Sequence, residues 1–342
     1  MSLYSKIREK LSNDNKSRLS KFLVISGIKP KINTKVRSPF KEAIVVFSAD
    51  FEMAWAFRYS KTLASKAIEV GLKERGNVPI LLTLFDQYQI PVTWATVGHL
   101  FLNECKRDER GITHSEIPRP SYFENRNWLY NSGDWYDHDP GTNVIIDPAW
   151  YAPDLIEQII SAKAKHEIGC HTFSHLDFSY KNCSKEMADI ELEKCRTLAE
   201  NKGIYLKSFV FPGGTFGNYE SLKENGIICY RKSMNNHIDV PYIDSYGLVA
   251  IPSSLGLDRD PYGWSKEFHL KMIKKFIDKT AKHKLVCHFW FHPSMDLWYL
   301  ENVMPDVLKM VAEYRDSYKI QVRTMGQMAV EYKEVINREE IT

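Results

Sequence analysis

The stretch 167–179, EIGCHTFSHLDFS, places two histidines, His171 and His175, four residues apart between a short apolar run and a polar segment. The run EIGCH is typical of a buried strand that ends at His171. The following residues, TFSHLDFS, are polar enough to turn and to bring His175 back beside His171. Because side chains four apart in a helical turn lie about 6 Å from each other, this pair can bind one metal ion.

A second pair with the same spacing, His288 and His292, lies in CHFWFHPSMD. The run 285–291 is short and aromatic and is closed by Pro293, which predicts a strand. Residues four apart in a strand are separated by about 13 Å, at ~3.3 Å per residue. We therefore expect His288 and His292 not to share an ion, and His288 to be structural.

From residue 42 onward, short apolar runs alternate with helical patterns, which is typical of a mainly parallel sheet with crossover helices. The sequence predicts helices over 153–165, 184–201, 265–282 and 305–314. It predicts seven strands, at 43–52, 91–98, 167–171, 208–212, 227–231, 248–254 and 285–292. The expected fold class is therefore α/β.

The segment at about 101–150 departs from this alternation and is rich in aromatic residues, among them Trp128, Tyr130, Trp135 and Tyr136. A loop of this length inside a compact domain is usually functional or disordered, and the aromatic residues argue against disorder. Two interpretations remain open: a set of aromatic faces on which sugar rings stack, or a packed insertion that covers an edge of the sheet.

The 342 residues, 44% of them hydrophobic, can build a large core and carry a net charge of only +3. The charge is uneven, because residues 1–41 contain eleven Lys or Arg against two acidic residues, a local net charge of +9. We interpret 1–41 as a basic N-terminal leader and 42–342 as one catalytic domain. The leader either packs on the body of the protein or meets anionic lipid. Nothing in the sequence indicates nucleic-acid recognition.

The sequence has neither an apolar run of 18 residues nor an export signal, so we expect a cytoplasmic protein, peripheral at the inner face of the membrane if the leader binds lipid. The six cysteines show no CxxC spacing. We expect them to be reduced and mostly in the core.

Polar residues follow several of the predicted strands. SADFE ends the first strand with Asp50 and Glu52, and FWFHP ends the last with His292. The carboxyl ends of parallel strands meet at one edge of a sheet or barrel, so these side chains can converge with the histidines of EIGCHTFSH. Asp50 and Glu52 are two residues apart and point to the same side of their strand, about 6.6 Å from each other along the chain.

The order and spacing of these segments resemble the polysaccharide deacetylases of the NodB-homology type, carbohydrate esterase family 4, over roughly 43–324. KHEIGCHTFSH is similar to the family's histidine motif, H-[ST]-x-x-H, and PVTWATVGHLF to its second strand. SADFE looks like a D-x-D or D-x-E variant of the family's acidic pair. The resemblance implies a distorted (β/α) barrel of about seven strands.

The resemblance also implies a role for each site residue. Glu52, His171 and His175 would be metal ligands, Asp50 the general base and His292 the general acid. Two imidazoles and one carboxylate suit Zn²⁺ best, and also Co²⁺, Ni²⁺ or Fe²⁺. The implied reaction is the metal-dependent removal of N-acetyl groups from sugars of a surface polysaccharide or of its precursor, which can be a lipid-linked glycan.

One departure from the family pattern concerns the base. The third motif of the family, R-x-P-x-G, orients the base through its Arg, and FVFPGG has Val210 at that position. Either Arg231 or Arg58 takes this role, or the chain is a catalytically inactive glycan-binding protein. Hydrolysis of another C–N bond, such as that of a formamide, is a further alternative. A glycosyltransferase that uses DFE as its metal motif would leave the HxxxH and FWFH segments unexplained.

Overall fold

The computed structural model describes residues 12–33 and 37–339, so the leader residues 1–11 and 34–36 lie outside the described part. The helices are α1 Asn13–Ile25, α2 Ala67–Tyr88, α3 Pro153–Ser161, α4 Lys185–Glu200, α5 Tyr219–Glu224, α6 Lys266–His283, α7 Leu297–Asn302, α8 Met304–Asp316 and α9 Met325–Glu339. The strands are β1 Lys31–Ile32, β2 Ala43–Phe51, β3 Thr93–Thr96, β4 Phe123–Glu124, β5 Leu129–Tyr130, β6 Glu167–Cys170, β7 Ser208–Val210, β8 Cys229–Lys232, β9 His237–Ile238, β10 Tyr242–Ile243, β11 Val249–Pro252, β12 Leu255–Gly256, β13 Val286–Phe291 and β14 Ile320–Arg323.

Seven of these strands form a distorted barrel in the order β11-β8-β7-β6-β3-β2-β13, with parallel neighbours throughout. β11 pairs with β8, and the next strand along the chain, β12, pairs with β13. The segment from β11 to β12 therefore connects the two end strands of this order, β11 and β13. β14 is added outside the barrel against the first half of β2. Each strand coincides with one of the seven apolar runs, which confirms the predicted α/β barrel.

The predicted helices are present, with small differences at their ends. Ser184 and Ser265 are the N-caps of α4 and α6, because their side chains accept hydrogen bonds from the amides of Met187 and Phe268. The prediction for α3 is four residues too long. The chain turns extended at Ala162, directly after the last helical residue.

Alternate residues of β2 point into the barrel, and their polarity changes along the strand. Ile44 and Val46 lie in an apolar cluster inside the barrel, whereas Ser48 and Asp50 follow them towards the carboxyl end. The cluster has contributions from β3, β7, β8, β11 and β13 and is closed from below by α9 and Phe40. Its other members are Ala95, Val210, Cys229, Val249, Ile251, Val286, Met325, Met328, Ala329 and Tyr332. The inward-facing polar residues of β2 therefore lie towards the upper end of the barrel.

The insertion at 101–150 packs over this upper end. Tyr130, Trp135 and Tyr136 are buried, and the Trp135 indole N–H donates to Ser174 Oγ at 2.8 Å, next to the histidine segment. These three rings form a packed cover, as in the second of the two interpretations above. The position of Trp128 differs from that of these three rings, because the Trp128 ring lies 5.0 Å from the ring of His175.

The described part of the leader lies against the body of the protein. Lys275 and Lys279 of α6 donate to the carbonyl oxygens of Ile25 and Gly27, each at 2.7 Å, and β1 pairs with β9. Trp264 Nε1 donates to Ser17 Oγ of α1 at 3.0 Å. None of the helices in the described ranges is long and apolar enough to cross a membrane.

Candidate metal centre and active site

The two histidines of EIGCHTFSH are brought together by a tight loop after β6. Thr172 and His175 both have positive φ, and the rings of His171 and His175 lie 4.9 Å apart. Glu191 of α4 holds this loop, since its carboxylate accepts the backbone N–H of Phe173 at 2.8 Å and that of Ser174 at 2.9 Å. The turn expected from the polar sequence is therefore present.

Glu52 stands at the end of β2 and meets both histidines. Its Oε2 lies 3.1 Å from His171 Nε2 and 3.1 Å from His175 Nε2. A second buried carboxylate fixes the backbone here, because Glu74 Oε1 of α2 accepts the N–H groups of Glu52 and Met53 at 2.9 and 3.1 Å. Burial raises the pKa of Glu74 well above its ordinary value, and the charge of Glu52 adds to this effect.

The donor set of Glu52, His171 and His175 fits a divalent ion. The His171 Nδ1–H donates to the carbonyl oxygen of Val210 at 2.7 Å, so its Nε2 presents a lone pair to Glu52. Burial lowers the pKa of His175 to about 4, with partial compensation by Glu52, and so favours the neutral ring that binds metals. A lone pair of His171 directed at the carboxylate repels it unless a cation lies between the two groups. The set of two nitrogens and one oxygen suits Zn²⁺ and related ions.

Asp50 is paired with Arg231 inside the barrel. The two guanidinium nitrogens NH1 and NH2 donate to Oδ1 and Oδ2 of Asp50, both at 2.6 Å, and NH1 also donates to Ser48 Oγ at 3.0 Å. The guanidinium lies 4.9 Å from the ring of Trp290. Burial alone raises the pKa of Asp50, but the charge and hydrogen bonds of Arg231 outweigh it and hold the pKa below its ordinary value.

Of the two arginines considered for this role, only Arg231 contacts Asp50 among the hydrogen bonds of the described residues. β7 and β8 pair with Val210 directly opposite Arg231, so the guanidinium comes from the neighbouring strand at the level of Val210. Arg58 instead donates to the carbonyl oxygen of Ser174 at 2.7 Å and lies against Trp135 at 4.3 Å. Its contacts support the histidine loop and the insertion.

His292 follows β13 and lies at the mouth of the site. Its Nε2 is 3.3 Å from Glu52 Oε1 and 3.8 Å from Asp50 Oδ2, and its side chain is 38% exposed. Asp50, Glu52 and His292 therefore form a second, overlapping group of potential ligands. His288, which we expected to be structural, is buried below them, with Nε2 at 2.8 Å from Ser48 Oγ. Burial lowers its pKa to about 3.

A cleft of about 460 Å³ lies at the carboxyl ends of the strands and is lined by Asp50, Glu52, His175, Arg231 and His292. Its walls include the aromatic residues Trp128 of the insertion and Trp290 of β13, its floor carries the buried Asp50 and Glu52, and His292 lies at its mouth. Gly213 is required under Trp128, because a Cβ at this position would lie 2.7 Å from the indole ring. A cleft of several hundred Å³ with aromatic walls and a few polar groups is typical of a small-molecule site.

Two supporting residues were not identified from the sequence, Glu74 and Glu191. Both carry a periodic signal that could have revealed them. Glu74 lies at helical spacing from the buried Gly71 and Val78 of α2, and Glu191 lies at the same spacing between buried residues of α4. A carboxylate on the apolar face of a helix needs a buried partner, and here each one accepts backbone N–H groups next to the site.

The sequence and the fold were compared with known proteins. A sequence model of the family described as polysaccharide deacetylase matches residues 68–227, which include His171 and His175 but not Asp50, Glu52 or His292. None of the curated proteins compared matches the chain.

Solved structures also match the chain, among them the three that follow. A protein from Mycobacterium smegmatis assigned to the polysaccharide deacetylases has a TM-score of 0.56 at 17% identity, over 89% of this chain and 94% of that chain. For 4-alpha-glucanotransferase from Thermococcus litoralis the TM-score is 0.47 at 13% identity, over 84% of this chain and 40% of that chain. For the catalytic domain of peptidoglycan N-acetylglucosamine deacetylase from Eubacterium rectale it is 0.41 at 13% identity, over 83% and 90%.

The family match covers the segment that carries the histidine pair, and the barrel around it shares its fold with the Mycobacterium smegmatis protein. The chain therefore resembles the polysaccharide deacetylases in its histidine segment and in its fold.

Proposed function

We propose that the chain is a metal-dependent N-deacetylase that removes acetyl groups from sugars of a surface polysaccharide or of its precursor. The observation that carries this proposal is the convergence of Glu52, His171 and His175 next to an Arg-paired Asp50 and to His292 in one cleft. The partial match to the polysaccharide deacetylase model supports the reaction class, and the positions of these side chains suggest the role of each residue.

Glu52, His171 and His175 would hold the ion. A divalent ion bound there supplies Lewis-acid polarisation of the amide carbonyl and lowers the pKa of water to about 7. Asp50 accepts the proton of the attacking water, and it is suited to this because Arg231 keeps it ionised and fixes both of its oxygens. Arg231 thus acts through Asp50 as a positioning residue.

His292 protonates the leaving amine. An amide nitrogen leaves poorly unless it is protonated, so the reaction needs an acid on the side of the cleft from which the product departs. His292 fits this requirement, because it is the exposed member of the group and lies 3.3 Å from Glu52 Oε1. Its position at the mouth of the cleft lets it reach both the substrate and bulk water.

The aromatic walls suit a sugar ring. Trp128 and Trp290 provide flat apolar faces in the same cleft as the carboxylates, and Lys61 and Arg126 add polar groups at its rim. Sugar rings bind through such combinations of apolar faces and polar partners. Trp128 comes from the insertion, so we assign this segment a part in substrate binding in addition to packing.

Metal content and acetate release test the proposal together. His171→Ala should remove about one ion per chain and abolish acetate release from N-acetylated sugars, because it deletes one of only three ligands. Asp50→Asn should keep the ion and lose activity. If Asp50→Asn empties the site while Glu52→Gln leaves it full, the two acids have exchanged roles.

The alternatives give different outcomes in the same experiment. A catalytically inactive glycan-binding protein would bind the ion and sugars but release no acetate from any substrate in the panel. An enzyme acting on formamides would release formate and not acetate. Unchanged turnover in every variant would assign the hydrolysis to a contaminant and remove its support for the proposal.

The leader carries features that favour contact with anionic lipid. Phe22, Ile25 and Ile28 are 60%, 55% and 50% exposed, and the basic residues Lys16, Arg18 and Lys21 lie on or beside the same helix. Exposed apolar side chains next to basic ones are typical of helices that lie at a membrane surface. We therefore extend the proposal to a lipid-linked glycan at the cytoplasmic, anionic face of the membrane.

A further inference from the structure

A second group of potential metal ligands lies where the insertion meets the barrel, outside the lining of the cleft. It consists of His99, Cys105, His114 and Asp139, whose ligand atoms all lie within 4.8 Å of one another. His99 and Asp139 are completely buried. The proposed reaction uses none of these four residues.

The four ligands come from separate parts of the chain. His99 belongs to the short 3₁₀ helix Gly98–Phe101 that follows β3, so it is part of the barrel. Cys105, His114 and Asp139 all belong to the insertion. Cys105 is fixed by its backbone N–H, which donates to the carbonyl oxygen of Thr142 at 3.0 Å. The group therefore joins the insertion to the barrel.

The distances fit a tetrahedral ion. Asp139 Oδ2 lies 3.3 Å from His99 Nε2 and 3.1 Å from His114 Nε2, and Asp139 Oδ1 lies 3.1 Å from Cys105 Sγ. Ligands at about 2.0 Å from a tetrahedral Zn²⁺ are separated from each other by roughly 3.3 Å. The two nitrogen-to-oxygen distances are thus those of a zinc coordination sphere to within a few tenths of an ångström.

The histidine nitrogens that face Asp139 have no hydrogen-bond partner. His99 Nε2 and His114 Nε2 are buried and lie close to the carboxylate, but neither makes a hydrogen bond among the described residues. The His99 Nδ1–H donates to the carbonyl oxygen of Trp150 at 3.2 Å, which leaves a lone pair on Nε2. A buried lone pair directed at a carboxylate is unfavourable unless a cation lies between the two groups.

Outer contacts hold the ligands in place. Asp139 Oδ1 accepts the backbone N–H of Gly141 at 3.0 Å and the hydroxyl of Tyr151 at 3.2 Å. The Tyr151 hydroxyl also accepts the N–H of Thr142 at 3.1 Å. Together with the bond from His99 to Trp150, these contacts fix both a histidine and the carboxylate, as is usual around protein metal sites.

We propose that His99, Cys105, His114 and Asp139 bind a structural Zn²⁺ that fastens the insertion to the barrel. Two imidazoles, a thiolate and a carboxylate give four protein ligands, the number that structural zinc sites use. The sulfur ligand favours Zn²⁺ over Mg²⁺ and Ca²⁺, which prefer oxygen. The ion would hold the segment that carries Trp128 over the cleft.

Cobalt substitution tests this site separately from the active site. Co²⁺ bound to a thiolate gives a charge-transfer absorption band, and the proposed active-site ligands contain no sulfur. The wild-type protein loaded with Co²⁺ should therefore show this band, and Cys105→Ser should lose it. Cys183→Ser is the control, because Cys183 is likewise a free cysteine but lies in no group of potential metal ligands among the described residues, and it should keep the band.

Metal stoichiometry gives the second readout. Cys105→Ser should bind about one Zn²⁺ fewer than the wild type, and the same loss should appear in a His171→Ala background. If His171→Ala alone changes nothing, the proposed function fails while this proposal stands. Absence of the thiolate band in the wild type, or its persistence in Cys105→Ser, would overturn the proposal.

Discussion

Replacing Arg231 by Met tests whether this residue keeps Asp50 ionised. The side chains are of similar length, but Met offers no charge and no hydrogen-bond donor. Asp50 would lose two guanidinium hydrogen bonds, both 2.6 Å long, and would remain 5% exposed. With Arg231 removed, burial dominates, and we expect the pKa of Asp50 to rise above its ordinary value.

The expected loss of stability is large and depends on pH. Removing one partner of a buried ion pair typically costs about 3–5 kcal/mol. In the wild type the pKa of Asp50 is lowered, so its contribution to stability is present above the unfolded-state value of about 3.9 and is lost as the pH falls through the folded-state value. In the variant the sign is reversed, because a raised pKa makes ionisation of Asp50 destabilising. The difference in unfolding free energy between the wild type and Arg231→Met should therefore increase from pH 4 to pH 8.

Two measurements check this prediction. Urea unfolding at several pH values gives the difference in stability, and the pH profile of kcat/KM gives the ionisation of the base in the free enzyme. We expect the acidic limb of the Arg231→Met profile to move to higher pH, with a loss of roughly 10²-fold in kcat/KM near pH 6 that shrinks in alkaline solution. Bound metal should not change.

Arg58→Met is the control, since Arg58 is also buried but bonds to the carbonyl oxygen of Ser174 and not to Asp50. It should lower stability without moving the acidic limb. If Arg231→Met leaves the limb where it is in the wild type, or if the two variants behave alike, Arg231 does not set the ionisation of the base and our reasoning is wrong.

Three further predictions address the other roles. Asp50→Asn should keep its metal and lower kcat by roughly 10²-fold or more, because proton transfer occurs only in the transition state; loss of the metal would contradict this. His292→Ala should also keep its metal, and its deficit should shrink for an activated aryl acetate, whose leaving group needs no proton; an equal deficit on both substrates would rule out the acid role. The exposed apolar residues of the leader are Phe22, Ile25 and Ile28. Replacing all three by Ser should weaken sedimentation with anionic vesicles but should not change hydrolysis of a soluble substrate. Unchanged vesicle binding would show that this helix only packs on the body of the protein.

The alternation of strands and helices was predictable from the sequence because its signals are local, whereas the barrel was implied by the resemblance to the polysaccharide deacetylases. Each strand is a short apolar run, and polar residues such as Asp50 stand at the carboxyl ends, where parallel strands converge. The proximity of His171 and His175 was also predictable, since it depends on one polar turn. These features need no knowledge of distant contacts.

The remaining contacts depend on tertiary packing. Arg231 is separated from Asp50 by 181 positions, and only the strand order shows that its side chain reaches the carboxylate. The group of His99, Cys105, His114 and Asp139 has no short repeated spacing of the CxxC kind, so its members look like unrelated loop residues in the sequence. The choice between a packed and a sugar-stacking insertion could not be made either, because only the folded chain shows that Trp128 lines the cleft beside His175 while its aromatic neighbours do not.

The pairing of Val210 with Arg231 has a consequence for how such chains are recognised. A linear motif requires Arg at one position in the sequence. In a barrel, the ion pair requires only that a guanidinium reach the carboxylate at a given level along the axis. Residues paired in register on neighbouring strands, such as Val210 and Arg231, lie at the same level. Exchanging the two residues, as in Val210→Arg with Arg231→Val, should then restore the ion pair with Asp50 that Arg231→Val alone destroys. A missing motif residue is therefore weak grounds for calling a family member inactive until the opposite position on each adjacent strand has been inspected.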